Sequence, residues 1–202
     1  KYEMLNFNDP LAILYSSGTT GKPKCICHGV GGVLLQHNKE LQIHSDVKEN
    51  DRVFYFTTCG WMMWNWLASS LAIGSTIILY DGSPFYPNGS TLLKMAERIG
   101  VTVFGTSAKY ISALEMENII PKEISTFPKL RCILSTGSPL VEENYDYIYN
   151  KWKKDIQLCS ISGGTDIISC FALGNPMLSI KRGELQCRGL GMKVESYSED
   201  GD

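Results

Sequence analysis

The chain has 202 residues, of which 44% are hydrophobic and 20% are charged, and its formal net charge is -2. These values are typical of one globular domain, or a large part of one, with a well-formed core. The slight negative charge provides no basic field for nucleic acid or an anionic membrane surface, so we expect neither partner. The most apolar segment, "WMMWNWLASSLAIG", is too short to cross a bilayer as a helix.

Short β-rich apolar runs alternate with longer segments of helical period along most of the chain. Strands are predicted at 11–16, 24–28, 52–57, 76–80, 101–105, 130–135 and 156–161. Helices are predicted at 32–44, 61–73, 90–99, 108–116 and 141–152, with Ser90 and Ser107 as N-caps. The fold class is therefore α/β, with a mainly parallel wound sheet and flanking helices. Beyond Gly163, strand and turn sequence without a helix predicts a C-terminal antiparallel strand region.

The stretch "YSSGTTGKPK", at 15–24, combines glycines, hydroxyls and lysines at the end of the first predicted strand. Backbone N–H groups, hydroxyls and an ammonium group in such a loop predict a phosphate cradle. The Walker A pattern fails because Gly18 and Gly21 enclose two residues instead of four, and Pro23 follows Lys22, so P-loop kinases and NTPases are the minor alternative. The loop also runs into the β-like "KCICH" and not into a helix. The alternative is a solvated hairpin turn.

Three later stretches carry further candidate site residues. "STGSPL", at 135–140, lies between a predicted strand and a helix, at the edge where α/β sheets bind ligands. "SISGGTDII", at 160–168, adds a hydroxyl and a carboxylate after the next strand. "TTCGWMMWNW", at 57–66, has aromatic residues and methionines at a spacing typical of a helix core. Taken singly, the first two also fit β-turns with a Ser or Asp cap.

In this order, these stretches resemble the signature segments of the adenylate-forming superfamily, which includes acyl-CoA synthetases, luciferases and peptide-synthetase adenylation domains. The resemblance implies ATP and Mg²⁺ as ligands, with Lys22 as the counter-charge to the phosphates. It implies that Thr165 contacts the α-phosphate and that Asp166 helps to hold the metal. The family has Glu at that position, and the shorter Asp implies contact through water. The nucleotide-binding residues implied are Ser16, Ser17, Gly18, Thr19, Thr20, Gly21, Gly137, Ser138, Pro139 and Gly164.

Within the superfamily, "ILYSSGTTGKPK", "GWMMWNW", "LYDGSP", "ILSTGSPL" and "SISGGTDIISCF" are similar to the acetoacetate-activating acyl-CoA synthetases over nearly the whole chain. The resemblance implies a ligase with acetoacetate, ATP and coenzyme A as substrates and Lys22, Thr165 and Asp166 as catalytic residues. The acid would lie against Trp61, Met62, Met63, Thr136 and Gly163. Acetate-specific relatives place a bulky Trp where this chain has Gly163, which implies room for a longer acid.

The resemblance also implies a domain assignment. Residues 1–202 would be a partial AMP-binding (adenylation) domain, and the C-terminal lid domain with its catalytic Lys would lie outside this chain. Two alternatives stay open: a synthetase for another short-chain acid, and a non-catalytic nucleotide-binding fragment. The sequence does not indicate an oligomeric state.

The cysteines and histidines complete the sequence-based expectations. Seven cysteines show no C-x-x-C pair, so we expect reduced core thiols in a cytosolic protein. His28 follows the predicted phosphate loop, and its imidazole either faces the nucleotide or is a packed or surface side chain. His37 and His44 lie seven residues apart, on one face of a predicted helix, where we expect surface residues.

Overall fold

The computed structural model describes residues 3–16 and 21–201. Its strands are β1 (Pro10–Ser16), β2 (Lys24–Gly29), β3 (Arg52–Tyr55), β4 (Thr76–Ile78), β5 (Val103–Ser107), β6 (Cys132–Thr136), β7 (Gln157–Ser160), β8 (Ser162–Gly164), β9 (Ser169–Leu173) and β10 (Cys187–Arg188). Its α-helices are α1 (Val30–Lys39), α2 (Met62–Ser69), α3 (Thr91–Ile99), α4 (Ala108–Met116), α5 (Pro121–Ile124) and α6 (Glu142–Tyr147).

These strands form three sheets. The central sheet has five strands in the order β4-β3-β5-β6-β7, and all of its neighbouring strands pair in parallel. β1 and β2 form an antiparallel hairpin, and β8, β9 and β10 form a separate antiparallel sheet. The predicted parallel sheet and C-terminal antiparallel region are both confirmed.

The central sheet separates two hydrophobic cores. Phe54, Phe104, Ile133 and Leu158 face one another in a row across β3, β5, β6 and β7, and they pack against α3, α4 and α6. The alternate positions Val53, Val103, Cys132 and Cys159 point to the other face, against α1 and α2. Both faces of the sheet are covered, as is usual for parallel sheets. The sequences of its strands are continuous apolar runs for this reason.

The predicted helices differ from the observed ones mainly at their ends. The helices predicted at 32–44 and 141–152 finish in the π-helical segments Glu40–His44 and Ile148–Trp152, and the one at 61–73 finishes in the 3₁₀ turn Ser70–Ile73. Helix α5 was not predicted, because it is a single turn and too short to show helical period.

The two predicted N-caps have different outcomes. Ser107 caps α4, because its side chain accepts a hydrogen bond from the backbone N–H of Tyr110 at 3.3 Å. Ser90 is the N-cap residue of α3, as predicted, but its side chain forms no capping hydrogen bond. Its hydroxyl donates instead to the side-chain oxygen of Asn88 at 2.5 Å, within the turn that precedes α3.

The described cysteines are all free thiols, but they are not all in the core. Cys132, Cys159 and Cys170 are buried, whereas Cys25, Cys27 and Cys59 are exposed. The expectation of core thiols is therefore wrong for the last three. Cys25 and Cys27 are two positions apart on β2, so both side chains lie on the same, exposed face of the hairpin. Separately, none of the helices within residues 3–16 and 21–201 has the length and apolarity needed to cross a membrane.

Candidate active site

The carboxyl ends of the central strands open into two neighbouring cavities. The larger, of about 450 Å³, is lined by the segment that follows β6 and by residues at the end of β7. It brings together Gly137, Ser138 and Pro139, which were predicted to bind the nucleotide. Gly183 and Leu185 close it from the C-terminal region, and the sequence analysis did not anticipate them. We call this the base cavity.

The smaller cavity has a volume of about 120 Å³ and lies beside the base cavity. Its lining includes all five residues predicted to contact the acid: Trp61, Met62, Met63, Thr136 and Gly163. Thr165 lines it too, together with Ile161 and Cys170, which the sequence analysis missed. We call this the acid cavity. Its volume is well below the roughly 300–1,000 Å³ of cavities that hold drug-sized ligands, so it suits a small molecule.

The two cavities share one wall, formed by Thr136, Gly137, Ile161 and Gly163. The hydroxyl of Thr136 donates to the carbonyl oxygen of Ile161 at 2.9 Å, which joins the ends of β6 and β7. Gly137 has a φ of 87°, a left-handed conformation that favours glycine and turns the chain out of β6. A ligand with two linked parts could therefore place one part in each cavity.

The acid cavity has its second wall on α2. Met62 and Met63 lie in the first turn of this helix and are buried, and Trp61 precedes them. The Trp61 ring packs edge-on against Tyr55, with 6.0 Å between ring centroids. Burial raises the pKa of Tyr55, and its hydroxyl donates to the carbonyl oxygen of Thr106 at 3.1 Å. The ring contact between Trp61 and Tyr55 therefore attaches this wall to the central sheet.

Gly163 lies where β8 approaches β9 closely. A Cβ atom added to it would lie 2.4 Å from the carbonyl oxygen of Ser169, inside the range that real Cβ contacts avoid. An indole at this position has no room while β9 stays in place. The close approach of two backbones is thus a reason for glycine here that the sequence did not reveal.

Two histidines hold the turn that carries Thr165 and Asp166. This 3₁₀ turn, Thr165–Ile167, follows β8 directly. His28 Nε2 lies 3.0 Å from the carbonyl oxygen of Thr165, and His37 Nε2 lies 2.8 Å from that of Ile168. Ile168 has a φ of 46°, which is rare for a β-branched residue and shows that its surroundings enforce the conformation.

The expectation that His37 and His44 lie at the surface is wrong. His37 is fully buried and His44 is 3% exposed. Their spacing does place them on one helix face, but that face packs against β9 and the C-terminal region, where His44 Nδ1 donates to the carbonyl oxygen of Gly174. Burial lowers the pKa of His37, although the Ile168 carbonyl and the nearby Glu40 act in the opposite direction.

The predicted phosphate loop is only partly described. Ser17, Gly18, Thr19 and Thr20 lie outside the described residues. Ser16 pairs with Lys24 at the loop end of the hairpin, and Gly21 and Lys22 are exposed. The loop is followed by a strand and not by a helix, which agrees with the failure of the Walker A pattern. β1 also contacts the turn Thr165–Ile167.

Asp166 is exposed at the edge of the site, and its carboxylate is the kind of oxygen donor that Mg²⁺ prefers. The part of the chain that the structure describes contains no cluster of three His, Cys, Asp or Glu side chains that could hold a metal. A magnesium ion held by one carboxylate and by the phosphates of a nucleotide needs no such cluster. The residues present therefore fit that mode of binding.

A comparison with protein families identifies the chain's relatives. The model described as AMP-binding enzyme matches residues 2–184. The chain belongs to the AMP-binding enzyme family. Within this family, it is 54% identical over 200 residues to acetoacetyl-coenzyme A synthetase of Rhizobium meliloti (strain 1021), with 99% of this chain and 31% of the relative covered.

Two further proteins that resemble this chain are informative. Malonamoyl-CoA synthetase vrtB of Penicillium aethiopicum is 44% identical over 206 residues, which cover 95% of this chain and 28% of that protein. The solved structure of acetoacetyl-CoA synthetase from Streptomyces lividans superposes with a TM-score of 0.92 at 43% identity, covering 100% of this chain and 32% of that one. The chain thus spans about a third of the length of these relatives.

Proposed function

We propose that this chain is part of an ATP-dependent acid–thiol ligase that converts acetoacetate, ATP and CoA to acetoacetyl-CoA, AMP and pyrophosphate. The observation that carries the proposal is the shared wall of the base and acid cavities, with Thr165 at the acid cavity. The identity of 54% to an acetoacetyl-coenzyme A synthetase supports the choice of acid. Residues 1–202 would form part of the adenylation domain, with the lid domain and its lysine elsewhere in the protein.

In the first half-reaction, a carboxylate oxygen of acetoacetate attacks the α-phosphorus of ATP, and the bond to pyrophosphate breaks. The carboxylate is already an anionic nucleophile, so no general base is needed. The chain's task is to orient the acid and to stabilise negative charge on the phosphate oxygens. The Thr165 hydroxyl would donate to the α-phosphate, and Lys22 would neutralise the departing pyrophosphate.

The other proposed residues have binding roles. Gly137, Ser138 and Pro139 would lie against adenine, with Gly164 beside the nucleotide and Ser16 to Gly21 around its outer phosphates. Asp166 would hold Mg²⁺, which supplies positive charge to the phosphates when bound. In the second half-reaction, the CoA thiol attacks the carbonyl carbon of the acyl-adenylate and AMP leaves. Free thiols in the described residues support a cytosolic location for this chemistry.

A related acid is the second candidate substrate. The malonamoyl-CoA synthetase to which this chain is similar supports it, because malonamate carries an amide where acetoacetate has a methyl ketone. Both acids have a carbonyl group at the same distance from the carboxylate. The acid cavity of about 120 Å³ is compatible with either.

Carboxylate-dependent ATP–pyrophosphate exchange in the full-length protein tests the proposal. Acetoacetate, malonamate, acetate, butyrate and 3-hydroxybutyrate are compared at equal concentration. Selective exchange with acetoacetate is expected. Selective exchange with another acid would retain adenylation and reject the substrate, and exchange with none of them would reject the ligase and favour a non-catalytic nucleotide-binding role.

A further inference from the structure

A fully buried carboxylate lies behind the acid cavity. Glu40, directly after α1, has no exposed surface. No Lys or Arg forms an ion pair with it within residues 3–16 and 21–201. Burial of a carboxylate is costly unless other groups compensate it. The buried position of Glu40 therefore depends on the groups that surround its carboxylate.

Hydrogen-bond donors from three segments surround Glu40. Oε1 accepts from the Gln36 side-chain amide at 3.0 Å, from the Cys170 backbone N–H at 2.9 Å, and from the Ser169 hydroxyl. Oε2 accepts from Trp66 Nε1 at 3.0 Å and from the Cys170 thiol at 3.5 Å. Every partner donates, which is the arrangement that an acceptor-only group requires.

These donors belong to opposite walls of the acid cavity. Trp66 is on α2, one turn after Met62 and Met63. Cys170 lines the cavity from β9, and the carbonyl of the adjacent Ser169 is the atom that faces Gly163. Burial raises the pKa of the Cys170 thiol, and the Glu40 carboxylate acts in the same direction, so this wall keeps its proton donor. One carboxylate thus connects the two walls.

We propose that Glu40 is a positioning residue that sets the width of the acid cavity and thereby the enzyme's selectivity for acid length. The inference rests on the proposed function, because it assigns the cavity to the acid. Glu40 does not line the cavity. It acts through Trp66 on one side and through Ser169 and Cys170 on the other.

Glu40→Gln is the direct test because it keeps the size of the side chain and replaces one acceptor oxygen with a donor NH₂ group. Whichever way the amide turns, the NH₂ group meets another donor, and one wall loses its attachment. Acetoacetate is compared with 3-oxopentanoate, which is one methylene longer. The preference for acetoacetate, as a ratio of kcat/KM values, should fall about tenfold, within the range that one methylene provides. The KM for ATP should stay unchanged.

Two milder variants keep the test valid if Glu40→Gln does not fold. Trp66→Phe removes the donor from the α2 wall, and Ser169→Ala removes a donor from the β9 wall. Each should lower the preference by a smaller factor. Glu49→Gln, an exposed position near the same segment, is the matched control and should keep the wild-type preference.

The outcomes separate this inference from the proposed function. Equal losses for both acids would show a merely structural role and overturn the inference. An unchanged preference in Glu40→Gln, or in both milder variants if Glu40→Gln does not fold, would also overturn it. If the wild-type protein adenylates no acid, the proposed function fails first.

Discussion

His28 Nε2 and the carbonyl oxygen of Thr165 lie 3.0 Å apart, although 137 positions separate the two residues in the sequence. A carbonyl oxygen can only accept, so the imidazole carries its proton on Nε2 in this contact. The hairpin strand that follows the phosphate loop thereby holds the turn of the proposed α-phosphate contact. The two halves of the predicted phosphate site are linked through one side chain.

Replacing His28 should therefore slow adenylation. His28→Ala removes one hydrogen bond to the turn, and we expect kcat for ATP–pyrophosphate exchange to fall about tenfold, the equivalent of one such bond. His28→Gln keeps an N–H donor and should recover part of the rate. Equal rates in the Ala and Gln variants would show that the contact does not position Thr165.

Removing the proposed phosphate contacts should have a larger effect that does not depend on the acid. Lys22→Ala and Thr165→Val should each lower exchange about 10²- to 10³-fold with every acid that the wild type accepts, the range found for loss of one charge-stabilising donor. Lys48→Ala is a matched control, since Lys48 pairs with Asp46 away from the site. A loss confined to one acid would instead place the residue in the acid cavity.

Two adjacent glycines should respond differently to alanine. Gly163→Ala places its Cβ 2.4 Å from a backbone oxygen of β9, so β9 must move, and we expect a lower Tm and slower exchange. At Gly164 the nearest atom to an added Cβ is the Phe171 ring at 3.7 Å, an ordinary contact, so Gly164→Ala should keep a Tm close to that of the wild type. Thermal unfolding of both variants checks this, and equal Tm values would contradict it.

The buried His37 should make stability depend on pH. Its pKa in the folded protein lies below the usual 6.5 because burial disfavours the cation. In the unfolded chain, the imidazole takes up a proton as the pH falls through 6.5, while the native imidazole takes one up only at lower pH. Stability is therefore expected to decrease as the pH falls below 6.5. His37→Gln lacks this contribution, so its Tm should change less between that pH and about 5. If the Tm of the wild type and that of His37→Gln changed equally with pH, this contribution of His37 would be ruled out.

The central strands could be predicted because parallel strands covered on both faces are continuous apolar runs. The ends of the helices could not, since the π-helical and 3₁₀ segments after α1, α2 and α6 keep the helical pattern of buried residues while changing the hydrogen bonds. The prediction that the cysteines are buried was wrong in the hairpin for a related reason. The alternation of side chains along a strand shows that its two faces differ, but it does not show which face is covered by the rest of the protein.

The site was predictable only where residues near one another in sequence carry it. Gly137 to Pro139 lie together after β6, and Gly163 to Asp166 lie together at the end of β8 and in the turn that follows it. The role of Glu40 was not predictable, because Trp66 is 26 positions away and Cys170 is 130 positions away. A glutamate on an amphipathic helix has no local signature that distinguishes a buried position from a solvated one.

The shared wall of the two cavities also determines how an inhibitor of the proposed ligase should be built. A compound that joins an adenine group to a short acyl chain across Thr136 and Gly137 would fill both cavities in one binding event. The second group then binds at a high effective concentration, without a second loss of translational freedom. Such a linked molecule should bind far more tightly than either part alone, and its linker length should have a sharp optimum.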